Sequence, residues 1–470
     1  MTTATGAALR RIQTGNALSA FGNGFTVPFL FVYVSQVRDL GAGTAGTVLA
    51  LFAVAALVVL PFTGRAIDRR GPLPVAVAGA ALAAVGSLGL ALSTTVPATF
   101  ASAVVFGAGV SVIQPALATM IVWCSAPANR SRAFATQFFL NNLGLGVGGL
   151  LGGLVVDTDR PSSFLLLFGI EAAMYVVLGA VAATVRLPAV PRAETGYAGR
   201  PSGGGAGSAP APGGLRALLS DRAMVTLCVL GFVMFFACYG QFESGLSAYA
   251  VEASRISPAA LGAALAANTA VIVLAQFVVL RLVERRRRSR VIAVVGLIWT
   301  VAWLAAGVSG LVAERHALAV AAIVSTYALF GLGEAMLSPT VAPLVADLAP
   351  ARMVGQYNSA FALVKQLALA VGPAVGGPMG ATLHLPYIAM LVLCSLGVSV
   401  LALLLGRRLT EAQDNPLRAS VLVASSMPLE TVREARAAVA ASGGPPLPVA
   451  PDARAGGNAP EVRDAPGRCA

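Results

Sequence analysis

From residue 12 to residue 406 the chain is a succession of long apolar runs, each closed by a short polar, glycine-bearing or arginine-bearing interruption. A bilayer core is about 30 Å thick and takes about 20 helical residues to cross, so each run predicts a membrane-spanning helix. Twelve spans are expected, at 12–35, 43–63, 73–93, 98–121, 133–156, 163–185, 223–247, 258–282, 290–311, 317–342, 356–380 and 384–406.

Composition agrees with that pattern. Of the 470 residues 57% are hydrophobic and 11% charged, with a mean hydropathy of +0.80. Too little polar surface remains to wrap soluble domains of that size. The net charge of +12 would fit a nucleic-acid partner, but the arginines sort by membrane side instead. With the N-terminus inside, the inner segments carry Arg10, Arg11, Arg65, Arg69, Arg70, Arg130, Arg132, the run ERRRRSR at 284–290, Arg407 and Arg408. The outer loops carry only Arg38, Arg160, Arg255 and Arg315. This asymmetry places both termini in the cytoplasm. Arg10 and Arg11 lead straight into the first span, which is long enough to stay as an anchor. The preference for arginine over lysine points to a GC-rich bacterial genome, hence to a multi-pass protein of a bacterial cell membrane. The five cysteines show no CxxC spacing, so no metal or disulfide framework is expected.

The chain divides at a low-complexity stretch containing RPSGGGAGSAPAPGG. The expected organisation is a six-span bundle over 1–187, a flexible cytoplasmic linker over 188–220, a second six-span bundle over 221–408 and a disordered cytoplasmic tail over 409–470. The halves repeat. FGAGVSVIQP (106–115) aligns with FGLGEAMLSP (330–339) at an offset of 224, as does GVGGLLGG (146–153) with AVGPAVGG (370–377). In the first two spans of each half the offset is 216, matching Gly46 with Gly262, Asp68 with Glu284 and Arg69 with Arg285. Two parallel six-helix repeats form a central site at their interface in a large class of transporters.

GRAIDRRG, Gly64–Gly71, is expected in the short loop between spans two and three. Glycines permit a tight reversal. Asp68 can meet the positive end of a helix starting on the same face, with span eleven as the candidate, and so hold a cytoplasmic gate shut. The stretch resembles the GxxxDRxGR motif of the major facilitator superfamily at Gly64, Asp68, Arg69 and Gly71, with Pro72 where that family has a basic residue. Its second-half copy, LRLVERRRR, keeps Glu284 and Arg285 without the glycines. NLGLGVGGLLGG carries small-xxx-small spacing suited to close helix packing. It resembles the GxxxGPxxGG motif of the family's antiporters through Gly144, Gly148, Gly152 and Gly153, with Gly149 in the proline position. Span eleven keeps that proline in GPAVGG, as Gly372, Pro373, Gly376 and Gly377. FGNGFTVPF places Pro28 six residues after Gly22, similar to a motif of twelve-span drug exporters, whereas the arginine often found in their fourth span is missing.

Four ionisable residues fall inside apolar spans: Glu171, Glu243, Glu334 and Lys365, the last being the only lysine in the chain. Charges at that depth are costly and face a cavity or a partner. At about 1.5 Å per residue, Lys365 lies about 15 Å and Glu334 about 20 Å from the cytoplasmic ends of their helices, so they overlap near the midplane. Lys365 is therefore expected to pair with Glu334, or with Glu243 when the cavity rearranges, as a proton- or substrate-responsive switch. A permanent structural ion pair is the alternative. Glu171 is as suited to packing as to function. Asn23, Gln114, Asn141, Tyr239, Gln241, Phe242 and Asn268 are expected to line the substrate cavity.

The fold expected is an all-α membrane protein, twelve transmembrane helices in two pseudo-symmetric six-helix bundles. The resemblance to the twelve-span drug:proton antiporters implies alternating access, with a small, fairly apolar drug or secondary metabolite leaving against proton entry. A proton- or gradient-driven importer of a small metabolite is the alternative. An enzyme is not expected, since His316 and His384 are the only histidines and neither has a nucleophile beside it. No cofactor, metal or nucleic acid is expected. The partners are the substrate, protons and the bilayer, and the chain is expected to act as a monomer.

Overall fold

The computed structural model describes residues 3–188, 215–242 and 244–419. All regular elements among them are helices. Twelve are long and apolar enough to cross a membrane: α1 (Thr5–Val37), α2 (Ala42–Arg70), α3 (Pro72–Leu92), α4 (Val96–Trp123), α5 (Pro127–Val155), α6 (Pro161–Thr184), α7 (Arg222–Gln241), α8 (Ala259–Val283), α9 (Arg288–Leu311), α10 (His316–Leu348), α11 (Val354–Thr382) and α12 (His384–Gly406). Each falls on an expected span. α2 and α5 overrun the expected ends at the arginine-rich side by about two turns, because arginine stems lie along apolar surface while their heads reach water.

Prolines and caps set the ends. Pro72, Pro127 and Pro161 begin helices, where a missing N–H costs nothing. Asp221 caps α7 by accepting from the backbone N–H of Ala223 (3.0 Å) and Met224 (3.1 Å). Three spans are discontinuous, which the apolar runs did not reveal. In α1, Pro28 lies in a 3-10 turn (Val27–Phe29), followed by a π turn at Tyr33–Val37. In α7, the regular helix stops at Ala237, passes through a 3-10 turn at Tyr239–Gln241 and resumes at Gly245–Glu252. In α10, Pro339 separates His316–Leu337 from Val341–Leu348.

Two large hydrophobic cores result, beside a small cluster of Val279, Val283, Val291 and Ala335. One, built on α1–α6, centres on Tyr33, Phe106, Phe164, Phe168 and Tyr175; the other, on α7–α12, centres on Trp299, Trp303, Tyr327, Phe330 and Tyr387. The halves pack alike. α1 lies on α5 and α6 and α2 on α4, while α7 lies on α11 and α12 and α8 on α10. The bundles meet chiefly where α2 crosses α11 and α5 crosses α8. Large apolar side chains such as Leu154, Leu274, Leu311 and Leu385 remain exposed, as a lipid-facing surface requires.

Two expected disordered regions are partly ordered. Leu215–Ser220, at the end of the expected linker, is helical, and residues 189–214 lie outside the described residues. Residues 409–419 of the expected tail fold back on the second bundle. Thr410 and Gln413 form a capping box for a turn at Glu411–Asp414, whose partners on α9 are given below; the remainder of the tail lies outside the described residues.

Candidate functional site

At the arginine-rich end the bundles are joined by hydrogen bonds and ion pairs. GRAIDRRG is not a loop. Gly64–Arg70 are the last turns of α2, and the connection to α3 is Gly71 alone, at φ +86°. The two motif glycines thus act for different reasons. Gly71 supplies a backbone conformation that other residues rarely adopt. Gly64 permits contact between helices: a side chain there would meet the Gln356 Cα at 2.7 Å. That approach brings Asp68 to the first turn of α11. Its carboxylate accepts from the backbone N–H of Gly355 (2.7 Å) and Gln356 (3.1 Å) and from Gln356 Nε2 (3.0 Å). Anions are stabilised there by free amides and the helix dipole. Arg69 is exposed and lends charge to this face.

The repeat places a second contact across the pseudo-symmetry. Glu284, the counterpart of Asp68, lies 3.4 Å from Arg132 Nη2, and Arg132 is the counterpart of Gln356. The glycines are lost here, and with them the helix-terminus contact. The exposed Arg285 contributes its backbone carbonyl, which accepts from Asn415 Nδ2 at 3.2 Å.

Between these contacts lies a network that the sequence reading missed. Asp347, after the break in α10, pairs with Arg130 of α5 and with Arg288 Nη1 of α9 (2.6 Å). Arg288, only 3% exposed, also donates to the Gln413 carbonyl (2.9 Å). Asp414 accepts from Ser289 N (2.8 Å) and Ser289 Oγ (2.9 Å), capping α9. The sequence signal was a lone acid, Asp347, at the end of an apolar run that carries no cation of its own.

At mid-depth, Glu334 of α10 is 4% exposed, and its Oε1 accepts from Asn268 Nδ2 of α8 at 2.9 Å. The Tyr239 phenol and the Lys365 ammonium face the same carboxylate. Lys365 is not in ion-pair contact with Glu334. Its Nζ lies over the rings of Phe235 and Tyr239, 5.3 and 5.9 Å from their centroids, while the side chain stays open to internal space. Cation–π attraction explains that position. Phe242 continues the aromatic wall from Tyr239 (5.9 Å) to Tyr327 and Phe330 (5.4 Å each). Phe361 of α11 adds a ring beside Phe235 at 5.9 Å. Glu243 lies outside the described residues.

The other expected cavity residues divide. Gln114 is exposed at depth on α4, as a lining residue would be. Asn23 accepts from the Tyr175 hydroxyl (2.7 Å) and Asn141 from Asn16 Nδ2 (3.3 Å), so both also bridge helices. Gln241 is fully buried and does not line a cavity. It donates to the Phe236 carbonyl (2.9 Å) and accepts from the Tyr387 hydroxyl (3.1 Å), taking up groups freed by the break in α7. Glu171, on α6, belongs to the interior of the first bundle; its Oε1 accepts from Thr26 Oγ1 (2.6 Å) and its Oε2 from Ser87 Oγ (2.7 Å).

The small-residue motifs pack α1 on α5 and α7 on α11. Side chains at Gly144, Gly148 and Gly152 would run into the backbone of α1 at Ala17, Phe21 and Phe25. In the second bundle Gly372, beside Pro373, faces Gly240, and Gly376 faces Gln241. The pairs correspond through the repeat, Gly24 with Gly240 and Gly148 with Gly372. Gly153 and Gly377 do not share this role. The first would meet only Phe29 Cζ at 3.7 Å and the second nothing within 4 Å.

Two bundles of six membrane helices, joined at one end around a mid-depth charged and aromatic cluster, define a membrane transporter rather than an enzyme. The sequence profile of the Major Facilitator Superfamily matches residues 14–373 and 249–447, and the chain belongs to that family. It is 28% identical over 392 residues to multidrug resistance protein MdtH of Aeromonas hydrophila subsp. hydrophila, covering 81% of this chain and 91% of that one. The fold is that of the transporter FucP in the outward conformation (TM-score 0.67, 14% identity, covering 84% of this chain and 98% of that one). A bacterial homologue of the iron transporter ferroportin in its outward-facing state is also similar (TM-score 0.64, 16% identity, 85% and 98%).

Proposed function

We propose that this transporter exports a small, fairly apolar compound across the bacterial cell membrane in exchange for protons, with its arginine-rich end in the cytoplasm. The observation that carries the reading is the arrangement around Glu334. One carboxyl at mid-depth is held by Asn268, faces Lys365 and adjoins an aromatic wall. A proton taken up by Glu334 removes the negative charge that Lys365 sees. The ammonium then holds to its rings or turns to the cavity, and the wall offered to an apolar substrate changes with it. Proton movement inward supplies about 2.3 kcal/mol per charge per 100 mV, so no nucleotide is required.

The closed end supports alternating access. Asp68 and the Asp347 network join the bundles at one end, while a side chain added at Gly46 on α2 or at Gly262 on α8, repeat counterparts near the other, would meet nothing within 4 Å. The arginine bias supports the orientation, and export of a drug fits a relative named as a multidrug resistance protein. The test is uptake of fluorescent apolar dyes into everted membrane vesicles with and without an uncoupler. Uncoupler-sensitive accumulation is expected; accumulation only in right-side-out vesicles would instead indicate an importer.

A further inference from the structure

The buried carboxyl of Glu171 has no part in the cluster around Glu334. It is 1% exposed, lies within the first bundle, and meets only α1, through Thr26, and α3, through Ser87. Tyr175, one turn along α6, is the titratable group facing it among the described residues; its hydroxyl is committed to Asn23 Oδ1 at 2.7 Å. No cation pairs with Glu171 among the described residues, so its charge has only two hydroxyls to answer it.

Both hydroxyls have a second acceptor. Ser87 Oγ lies 2.7 Å from Glu171 Oε2 and 3.1 Å from the Phe168 carbonyl. Thr26 Oγ1 lies 2.6 Å from Glu171 Oε1 and 3.4 Å from the Asn23 carbonyl. A hydroxyl donates one hydrogen and accepts at its oxygen. When Glu171 is ionised, both hydroxyls donate to it. When it is protonated, its own O–H donates to one hydroxyl oxygen, and that hydroxyl turns its hydrogen to the backbone carbonyl behind it. Every donor is satisfied in both states without movement of a heavy atom.

From this geometry we infer that Glu171 is a second proton-binding site, enclosed in the first bundle and separate from the substrate cavity. Its state reaches α1 through Thr26 and α3 through Ser87. Thr26 is the last residue of the regular part of α1, directly before the turn containing Pro28, and Gly24, two residues earlier, lies in contact with Gly148 of α5. Where Thr26 is the hydroxyl that accepts, gain or loss of the proton moves its hydrogen bond between α6 and the Asn23 carbonyl of α1; where Ser87 accepts, its bond moves from the carboxyl to the Phe168 carbonyl. The site sits where the first bundle can bend.

The inference does not depend on export or on proton coupling at Glu334, and its test needs no substrate. Infrared difference spectra of the purified full-length protein in detergent, recorded between acidic and alkaline buffer, report protonated carboxyl groups by their C=O stretch. The expected result is a component present in the wild type and in Glu334→Gln but absent from Glu171→Gln. Thr26→Val and Ser87→Ala, which keep the carboxyl, should each shift the midpoint of that component; they carry the test if Glu171→Gln does not fold. A wild-type spectrum in Glu171→Gln, or a component unmoved in both hydroxyl variants, would overturn the assignment.

Discussion

Asp68 and Gly355 are 287 residues apart in sequence, and the carboxylate of one accepts the backbone N–H of the other at 2.7 Å. The contact joins the last turn of α2 to the first turn of α11, hence one bundle to the other. A carboxylate at a helix N-terminus contributes typically about 0.3–1 kcal/mol, and up to about 2 kcal/mol when partly buried. That is enough to bias two conformations without locking either.

Asp68→Asn should therefore reduce transport strongly while leaving membrane insertion and thermal stability close to wild type. A cysteine placed at Ser359, buried behind this contact, should react faster with impermeant thiol reagents from the arginine-rich side. Unchanged transport and unchanged reactivity would remove Asp68 from the gate.

The ion pairs at the same end should differ in weight. Arg288 is buried against Asp347, whereas Arg132 is mostly exposed beside Glu284. Breaking a buried pair costs about 3–5 kcal/mol, whereas an exposed one is worth about 0–1 kcal/mol. Arg288→Ala should lower the melting temperature in detergent markedly and Arg132→Ala barely. Asp414→Asn should fall between them, because Ser289 keeps one acceptor. Equal losses for the two arginines would show that the network is not buried in the working protein.

The glycines offer a test by position. Gly148→Leu and Gly372→Leu force a side chain into the backbone of α1 or α7 and should prevent folding. Gly153→Ala, in ordinary contact with Phe29, and Gly377→Ala, in open space, lie in the same motifs and should behave as wild type. Expression and size-exclusion profiles of the four variants decide the matter.

Twelve spans were legible in the sequence because a helix in lipid must satisfy its own backbone and present apolar residues over a fixed length. Asp68 was legible for a related reason: a carboxylate between glycines at the end of a span has few roles open to it. The break in α7 was not, since no proline marks it and Gln241 stabilises it through the Phe236 carbonyl of its own helix and the Tyr387 hydroxyl of α12; Pro339 marks the break in α10, but a proline within an apolar run need not end a membrane helix. The placement of Lys365 over Phe235 and Tyr239, rather than against Glu334, was equally hidden, because spacing along one helix gives depth but not which face of the next helix is met. Asp347, Arg288 and Asp414 come from three segments that sequence order alone does not bring together.

Glu334 and Lys365 should still be coupled in energy. Lys365→Ala leaves the buried carboxylate without the ammonium it faces, and Glu334→Gln with Lys365→Gln removes both charges. Neighbours of this kind show coupling of about 0.5–3 kcal/mol. The double variant should regain stability relative to Lys365→Ala without regaining proton-driven flux. Strictly additive melting shifts would show that the two do not interact.

Glu334 is the group proposed to carry the proton. The most direct test is dye transport in everted vesicles by the wild type and Glu334→Gln, measured both uphill under an imposed proton gradient and downhill without one. Uphill accumulation should be lost in Glu334→Gln while downhill flux persists, because the amide keeps the shape and the Asn268 contact but cannot titrate. Uphill accumulation equal to wild type in that variant would contradict the account.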